Sequence, residues 1–280
     1  MNPLELARLV ELSEASAYAS LMACRAPTLG PGDFEVSRVG SAWALMSPRM
    51  TGALTFNRVI GLGLEESAAE AQIEEIAHLY GSRRLSFAIE MGPHARPVEL
   101  PGWLRARRIR RSLPTAMYYR EARPMAVRGG SAVGVRAGTA VECEQVAEIC
   151  SKVFRMPDCV RQLLAATRGD PRWRQWLVHV GAQPIAAALS FVDQRVAWLG
   201  WDATLPQYRG NGAQGALIAA RLNDAHASGC QFVTTETAVH TAVQADPSAR
   251  NYEKREFLLA QNRVTCVAIR PPSGALAPQE

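Results

Sequence analysis

The sequence predicts an α/β (α+β) protein of two domains, each a mixed, mostly antiparallel sheet flanked by helices. Three observations lead there. The chain has 280 residues, 48% of them hydrophobic, enough for two cores. Residues 35–60 and 176–204 each read as a run of short β-prone segments separated by turn residues, the pattern of an antiparallel meander. Each run ends in a glycine-bearing turn, then a helix-forming segment, then another strand, so the second half repeats the rhythm of the first.

Residues 4–23 place Leu6, Leu9, Val10 and Leu12 at helical spacing among acids. Strands are expected at 35–39, 42–47 and 53–60, the last ended by Gly61-Leu62-Gly63. A helix over 65–80 follows, with Ala69, Ile73, Ile76 and Leu79 on the 3.6 period and Gly81 as its stop. A strand at 85–90, a short helix at 100–107 and a strand at 113–119 complete the first half. The stretch 122–132 carries paired glycines and few core formers and reads as a linker between domains 1–121 and 133–270. The second half runs a strand near 133–136, helices at 140–153 and 158–167, and strands at 176–180, 185–192 and 196–204. A helix opens near Ala213, with Ile218, Leu222 and Ala225 inward, and a strand follows at 232–235. A short helix at 247–255 starts from Asp246 as cap and Pro247 in first position. Strands at 257–260 and 263–270 form a closing pair, and 271–280 reads as a disordered tail.

The formal net charge of +5 is mild and suits an anionic ligand, and no basic stripe interleaved with aromatics argues for nucleic acid. No apolar stretch approaches the ~18 residues of a membrane span, and the N-terminus lacks a signal-peptide run. Cys24, Cys143, Cys150, Cys159, Cys230 and Cys266 form no C-x-x-C or metal-ligand spacing. Reduced core cysteines, a cytoplasmic setting and no metal are the expectation.

The most informative stretch is Pro206-Gln207-Tyr208-Arg209-Gly210-Asn211-Gly212-Ala213, between a strand and a helix. Its glycines permit backbone angles closed to other residues and close approach to a ligand. The first amides of the helix behind it have no intrahelical partner and sit at the positive end of the dipole. With Arg209 adjacent, that is a site for phosphate or diphosphate. It is neither a P-loop, lacking Gly-Lys-Ser/Thr, nor a G-x-G-x-x-G dinucleotide turn.

Pro-x-Tyr-Arg-Gly-x-Gly between strand and helix resembles the acetyl-CoA loop of the GCN5-related N-acetyltransferases (GNAT), whose signature is Arg/Gln-x-x-Gly-x-Gly/Ala. Read from Arg209, the signature meets Gly212 and then Gln214 where Gly or Ala is usual; read from Gln207, it meets Gly210 and Gly212. Asn251-Tyr252-Glu253-Lys254-x-x-Phe257 is similar to the family's Tyr-Glu-Lys-x-Gly-Phe, with Glu256 at the glycine position. The specific motifs cover 133–270; over 4–120 the likeness is one of element order. The resemblance implies a tandem protein with a degenerate first copy. There the turn has no basic residue, and Glu65 and Glu66 at the expected helix start would repel a diphosphate. That copy is expected to bind no CoA and to help shape the acceptor site.

The same resemblance implies acetyl transfer from acetyl-CoA, as co-substrate, to an amine by direct attack in a ternary complex. The cofactor would lie on Thr204, Leu205, Gln207, Arg209, Gly210, Asn211, Gly212, Ala213, Gln214, Gly215 and Asn251, its pantetheine arm along the backbone of 201–205 and its diphosphate on the loop; Asn251 either bonds the pantetheine arm or caps local backbone. A backbone N–H near Leu205 is the expected oxyanion donor. Tyr252 stands where the family often keeps a general acid for the sulfur, with packing on its helix as the plain alternative. Glu236 is the first candidate base, equally readable as a salt-bridged strand end; Asp202 is the second, and on an otherwise apolar strand it reads more readily as facing a structural partner. His226 and His240 are weaker candidates. By strand alternation, one of Trp198 and Trp201 packs inward and the other walls an acceptor cleft. The arginines of 105–111 either clamp an acidic acceptor or form a solvated face. The acceptor is expected to be a small-molecule amine, with no nucleic acid or membrane partner. A non-catalytic acyl-CoA-binding module and an acyltransferase with another donor remain the alternatives.

Overall fold

A computed structural model describes residues 1–125, 134–239 and 246–269. The expected linker core, His240 and the tail 271–280 lie outside the described residues. The helices are α1 (Pro3–Ala23), α2 (Glu70–Ser82), α3 (Leu100–Ala106), α4 (Ala140–Phe154), α5 (Asp158–Ala166), α6 (Ala213–Ala227) and α7 (Pro247–Glu253). The strands are β1 (Glu35–Val39), β2 (Ala42–Met46), β3 (Arg58–Ile60), β4 (Phe87–Met91), β5 (Arg110–Glu121), β6 (Gly134–Arg136), β7 (Trp173–Val180), β8 (Gln183–Asp193), β9 (Val196–Thr204), β10 (Phe232–Ala238) and β11 (Leu258–Ala268). No described helix is long and apolar enough to cross a membrane.

Helix starts follow local chemistry. Asn2 with Glu5, and Thr139 with Glu142, form reciprocal capping boxes on α1 and α4. Asp246 accepts from the Ser248 and Ala249 amides at the head of α7.

The chain forms two compact units, and they exchange segments relative to the halves of the sequence. One contains residues 1–30 and 115–262; the other contains 31–114 and 263 onward. In the first unit β6, β7, β8 and β9 pair antiparallel in order, β9 pairs parallel with β10, and β10 pairs antiparallel with β5. In the second, β1, β2 and β3 pair antiparallel, β3 pairs parallel with β4, and β4 pairs antiparallel with β11. The strand from the end of each sequence half therefore completes the sheet of the other half.

Four expectations change. Residues 53–60 are strand only from Arg58: the buried Asn57 side chain donates to Met50 and Ala53 and accepts from Ser47, holding two short 3-10 turns before it. Helix α2 begins at Glu70 rather than 65, and Glu66 instead accepts from the Ser41 amide. The closing pair is one strand, β11, because Gln261 makes no turn; its amide donates to buried Glu11 of α1. Helix α1 belongs to the unit with β8–β10, where Ser13 meets Thr234 at 2.7 Å and Tyr18 packs edge-on against Trp198.

Candidate functional site

Strands β9 and β10 pair only at Val196–Phe232, Ala197–Val233 and Trp198–Thr234. Beyond that each stays with its outer neighbour, β9 with β8 as far as Thr204 and β10 with β5 as far as Ala238. The two diverge and leave a slot between residues 200–204 and 235–238. A bulge assists. Trp201 and Asp202 together oppose Ala188, and Trp201 takes φ +58°, which bends the strand. The bulge also upsets the expected alternation of tryptophans: both are buried, Trp201 against Phe154 and Trp198 against Tyr18 and Trp173.

At the mouth of the slot, Gly210 and Gly212 adopt φ of +84° and +76°, and a β-carbon at either would meet nothing within 4 Å. Helix α6 starts behind them with no side-chain cap. The backbone N–H groups of residues 210–215 donate to no acceptor among the described residues; the first bond of the series is Ala216 to Gly212. Such a run at a positive helix end is a concave set of donors for an anion. Arg209 is exposed and rests on the Thr204 carbonyl at 3.4 Å, free to turn outward. Gln207 is exposed beside it, and Tyr208 donates to Gln183. Gly215 is small for a reason: a β-carbon there would collide with the Arg255 guanidinium. Gln214, where the motif has a small residue, turns away from the loop. Its amide donates to Ser248 and accepts from Asn251, tying α6 to α7. Asn251 thus spends its side chain on Gln214, and the Gln214 N–H stays bare.

The expected oxyanion donor changes. The Leu205 N–H donates to the Ile185 carbonyl at 3.0 Å, toward β8. By alternation, the N–H group of Thr204 lies on the opposite edge, facing the slot.

Tyr252 of α7 sits where the strands part. Its hydroxyl donates to Asp202 of β9 at 2.8 Å and contacts Thr235 of β10, while Thr235 donates to the Leu199 carbonyl. Burial, with the Asp202 carboxylate beside it, pushes the phenol well above its ordinary range, so it stays protonated. Asp202 is no free base. Arg221, fully buried on α6, binds both carboxylate oxygens, and Tyr252 takes a remaining lone pair. Glu236 lies within β10, half-buried, and accepts from the Trp198 indole at 2.7 Å. It shares a sheet face with Thr234 and hence with α1, whereas Thr235 and Tyr252 share the α6–α7 face. Candidate base and candidate acid therefore stand on opposite faces. His226 is held by the Ala122 carbonyl. Arg221 escaped the sequence reading; a lone arginine among the apolar residues of an Ala-rich helix was its available signal.

No protein-family model and no curated protein matches the chain. Solved structures do. A GCN5-related N-acetyltransferase from Kribbella flavida aligns with TM-score 0.64 at 14% identity, covering 96% of this chain and 97% of that one. One from Sphaerobacter thermophilus aligns with TM-score 0.60 at 12% identity, covering 97% and 95%. A tandem GNAT protein from the clavulanic acid biosynthesis pathway aligns with TM-score 0.59 at 14% identity, covering 93% and 96%. The chain has the mixed α/β fold of the GCN5-related N-acetyltransferases.

Proposed function

We propose that the chain is an N-acetyltransferase that passes an acetyl group from acetyl-CoA to an amine by direct attack in a ternary complex. The observation that carries this reading is the row of bare amides at residues 210–215, opening on the slot between β9 and β10. Acetyl-CoA, when bound, supplies the thioester that the amine attacks. The amides of 210–215 and the Arg209 guanidinium hold its diphosphate. The backbone edge of β9 facing the slot takes the pantetheine arm, and the Thr204 N–H is the donor for the developing oxyanion. Tyr252 Oη holds the proton that a departing thiolate needs. Asp202 and Arg221 position that hydroxyl. Glu236, on the α1 face, accepts the amine proton through water. The acceptor is a small-molecule amine.

Calorimetric titration of the full chain with CoA tests the loop, and thiol release with a panel of amines tests the reaction. Arg209→Glu is expected to weaken CoA at least tenfold, since a charge-assisted hydrogen bond contributes about 1.5–3 kcal/mol, with no loss of fold. Unchanged affinity in that variant rejects the loop assignment. CoA binding without thiol release for any amine leaves a non-catalytic binding module. Release only with longer acyl-CoA donors replaces acetyl by another acyl group.

A further inference from the structure

The arginines of 105–111 divide by partner. Arg107 is neutralised: its guanidinium donates to Glu70 and Glu74. Arg105, Arg110 and Arg111 make no ion pair or side-chain hydrogen bond with any described residue. All three line one cavity of about 400 Å³, whose remaining wall is Met91, Pro101, Leu104, Ile109 and Cys266. The cavity lies wholly within the unit of residues 31–114 and 263 onward.

The local chain explains the arrangement. Leu104 points from α3 into the core while Arg105 stays exposed. Arg108 then takes φ +59°, the turn closes with Ile109 N–H donating to the Leu104 carbonyl, and Ile109 is buried. Strand β5 starts at once with Arg110 and Arg111. Burial pushes the Cys266 thiol up, so it lines the wall as a small apolar group. The Arg111 charge acts on Cys266 in the cavity wall, and beside a low-dielectric wall the field of such a charge on an anion is enhanced. Each guanidinium also presents a planar fork that matches a carboxylate or phosphate. The size is that of a small-ligand pocket. A polyanion would want a broad basic face, but the neighbouring Arg107 is paired with two acids.

We propose that this cavity binds a small anionic amphiphile, its apolar body against Met91, Leu104 and Ile109 and its carboxylate or phosphate head on Arg105, Arg110 and Arg111. The site is separate from the CoA loop and stands or falls without it.

The test is calorimetric titration of the full chain with decanoate, decyl phosphate, decylamine and inorganic phosphate. One or both alkyl anions are expected to bind one to one. Decylamine does not bind, and inorganic phosphate binds at least tenfold more weakly than decyl phosphate for want of a tail. The tighter of the two alkyl anions tells which head the site takes. Arg105→Glu/Arg110→Glu/Arg111→Glu weakens the anions by roughly a hundredfold or more, while the triple Lys variant retains most of the affinity. Arg209→Glu leaves it unchanged. Several outcomes overturn the proposal: no saturable binding of either alkyl anion, equal affinity in the triple Glu variant, equal binding of decylamine, or displacement of decanoate by CoA. Capture of a heparin or oligonucleotide probe without alkyl-anion binding overturns it as well.

Discussion

The glycine pairs at 61/63 and 210/212 adopt nearly the same backbone, φ +86° and +77° against +84° and +76°. Their surroundings differ. At the first pair Arg96 lies across the turn: its N–H donates to the Gly63 carbonyl, its own carbonyl accepts from Ala68, and a β-carbon on Gly63 would collide with it. At the second pair no described residue comes within 4 Å of a β-carbon, and the amides behind it donate to no described acceptor. The buried carboxylates beside the two parallel strand pairs contrast in the same way. Glu90 is engaged by Arg58 of β3 and by Arg263 and Thr265 of β11, so it stitches strands to strands. Asp202 is engaged by Arg221 of α6 and Tyr252 of α7, so it ties a strand to helices and leaves the strand edge open. One turn conformation and one kind of buried acid thus serve a closed structure in one unit and an open slot in the other.

The largest expected effect is at those acids. Asp202→Ala leaves the Arg221 charge buried and unpartnered and is expected to cost about 3–5 kcal/mol, measured by urea unfolding. An effect under 1 kcal/mol would mean the pair is not the anchor described. Next comes Gly63→Ala, at about 3 kcal/mol, because a left-handed backbone penalty adds to a clash with main chain that cannot swing aside. CoA affinity in that variant stays unchanged. Tyr252→Phe is expected to slow turnover about a hundredfold, seen in kcat more than in KM. With the native phenol raised, its proton is retained as pH climbs through about 10, the ordinary tyrosine value, so wild-type activity holds there. An alkaline limb shared by wild type and variant would assign it to another group.

Gly212→Ala has the same left-handed penalty with no clash, about 1 kcal/mol, and is expected to weaken CoA. Equal destabilisation of the Gly63 and Gly212 variants would break the comparison of the two turns. The smallest effect is a gain. Glu256 takes φ +62°, where the motif that this turn resembles has glycine, so the left-handed turn carries a strain cost. Glu256→Gly is expected to add about 0.5–1 kcal/mol of stability. It gives up an ion pair to Arg120 whose acid is largely exposed.

Much of the site could be read from local chemistry. Two glycines spaced across a strand-to-helix junction announce positive φ. Asp246-Pro247 announces the helix that carries Tyr252. The misreadings have a common cause. Chain position alone points to Leu205, yet the edge its N–H faces depends on the register with β8. Asp202 was a candidate base only while Arg221 had not been brought beside it. Glu65 and Glu66 were placed at a helix start that Gln72, bonding back to the Ala69 amide, moves to Glu70.

Sequence alone determined the elements that rest on neighbours in the chain: helix caps, glycine turns and the alternation of β-prone runs. Only the tertiary structure decided which glycine turn stays bare, which acid is paired away, which unit receives α1, and which strands β5 and β11 pair with. The physical reason is range. Backbone angles and caps are settled within a few residues, whereas the state of a buried charge or a bare amide depends on groups brought close only when the sheets assemble.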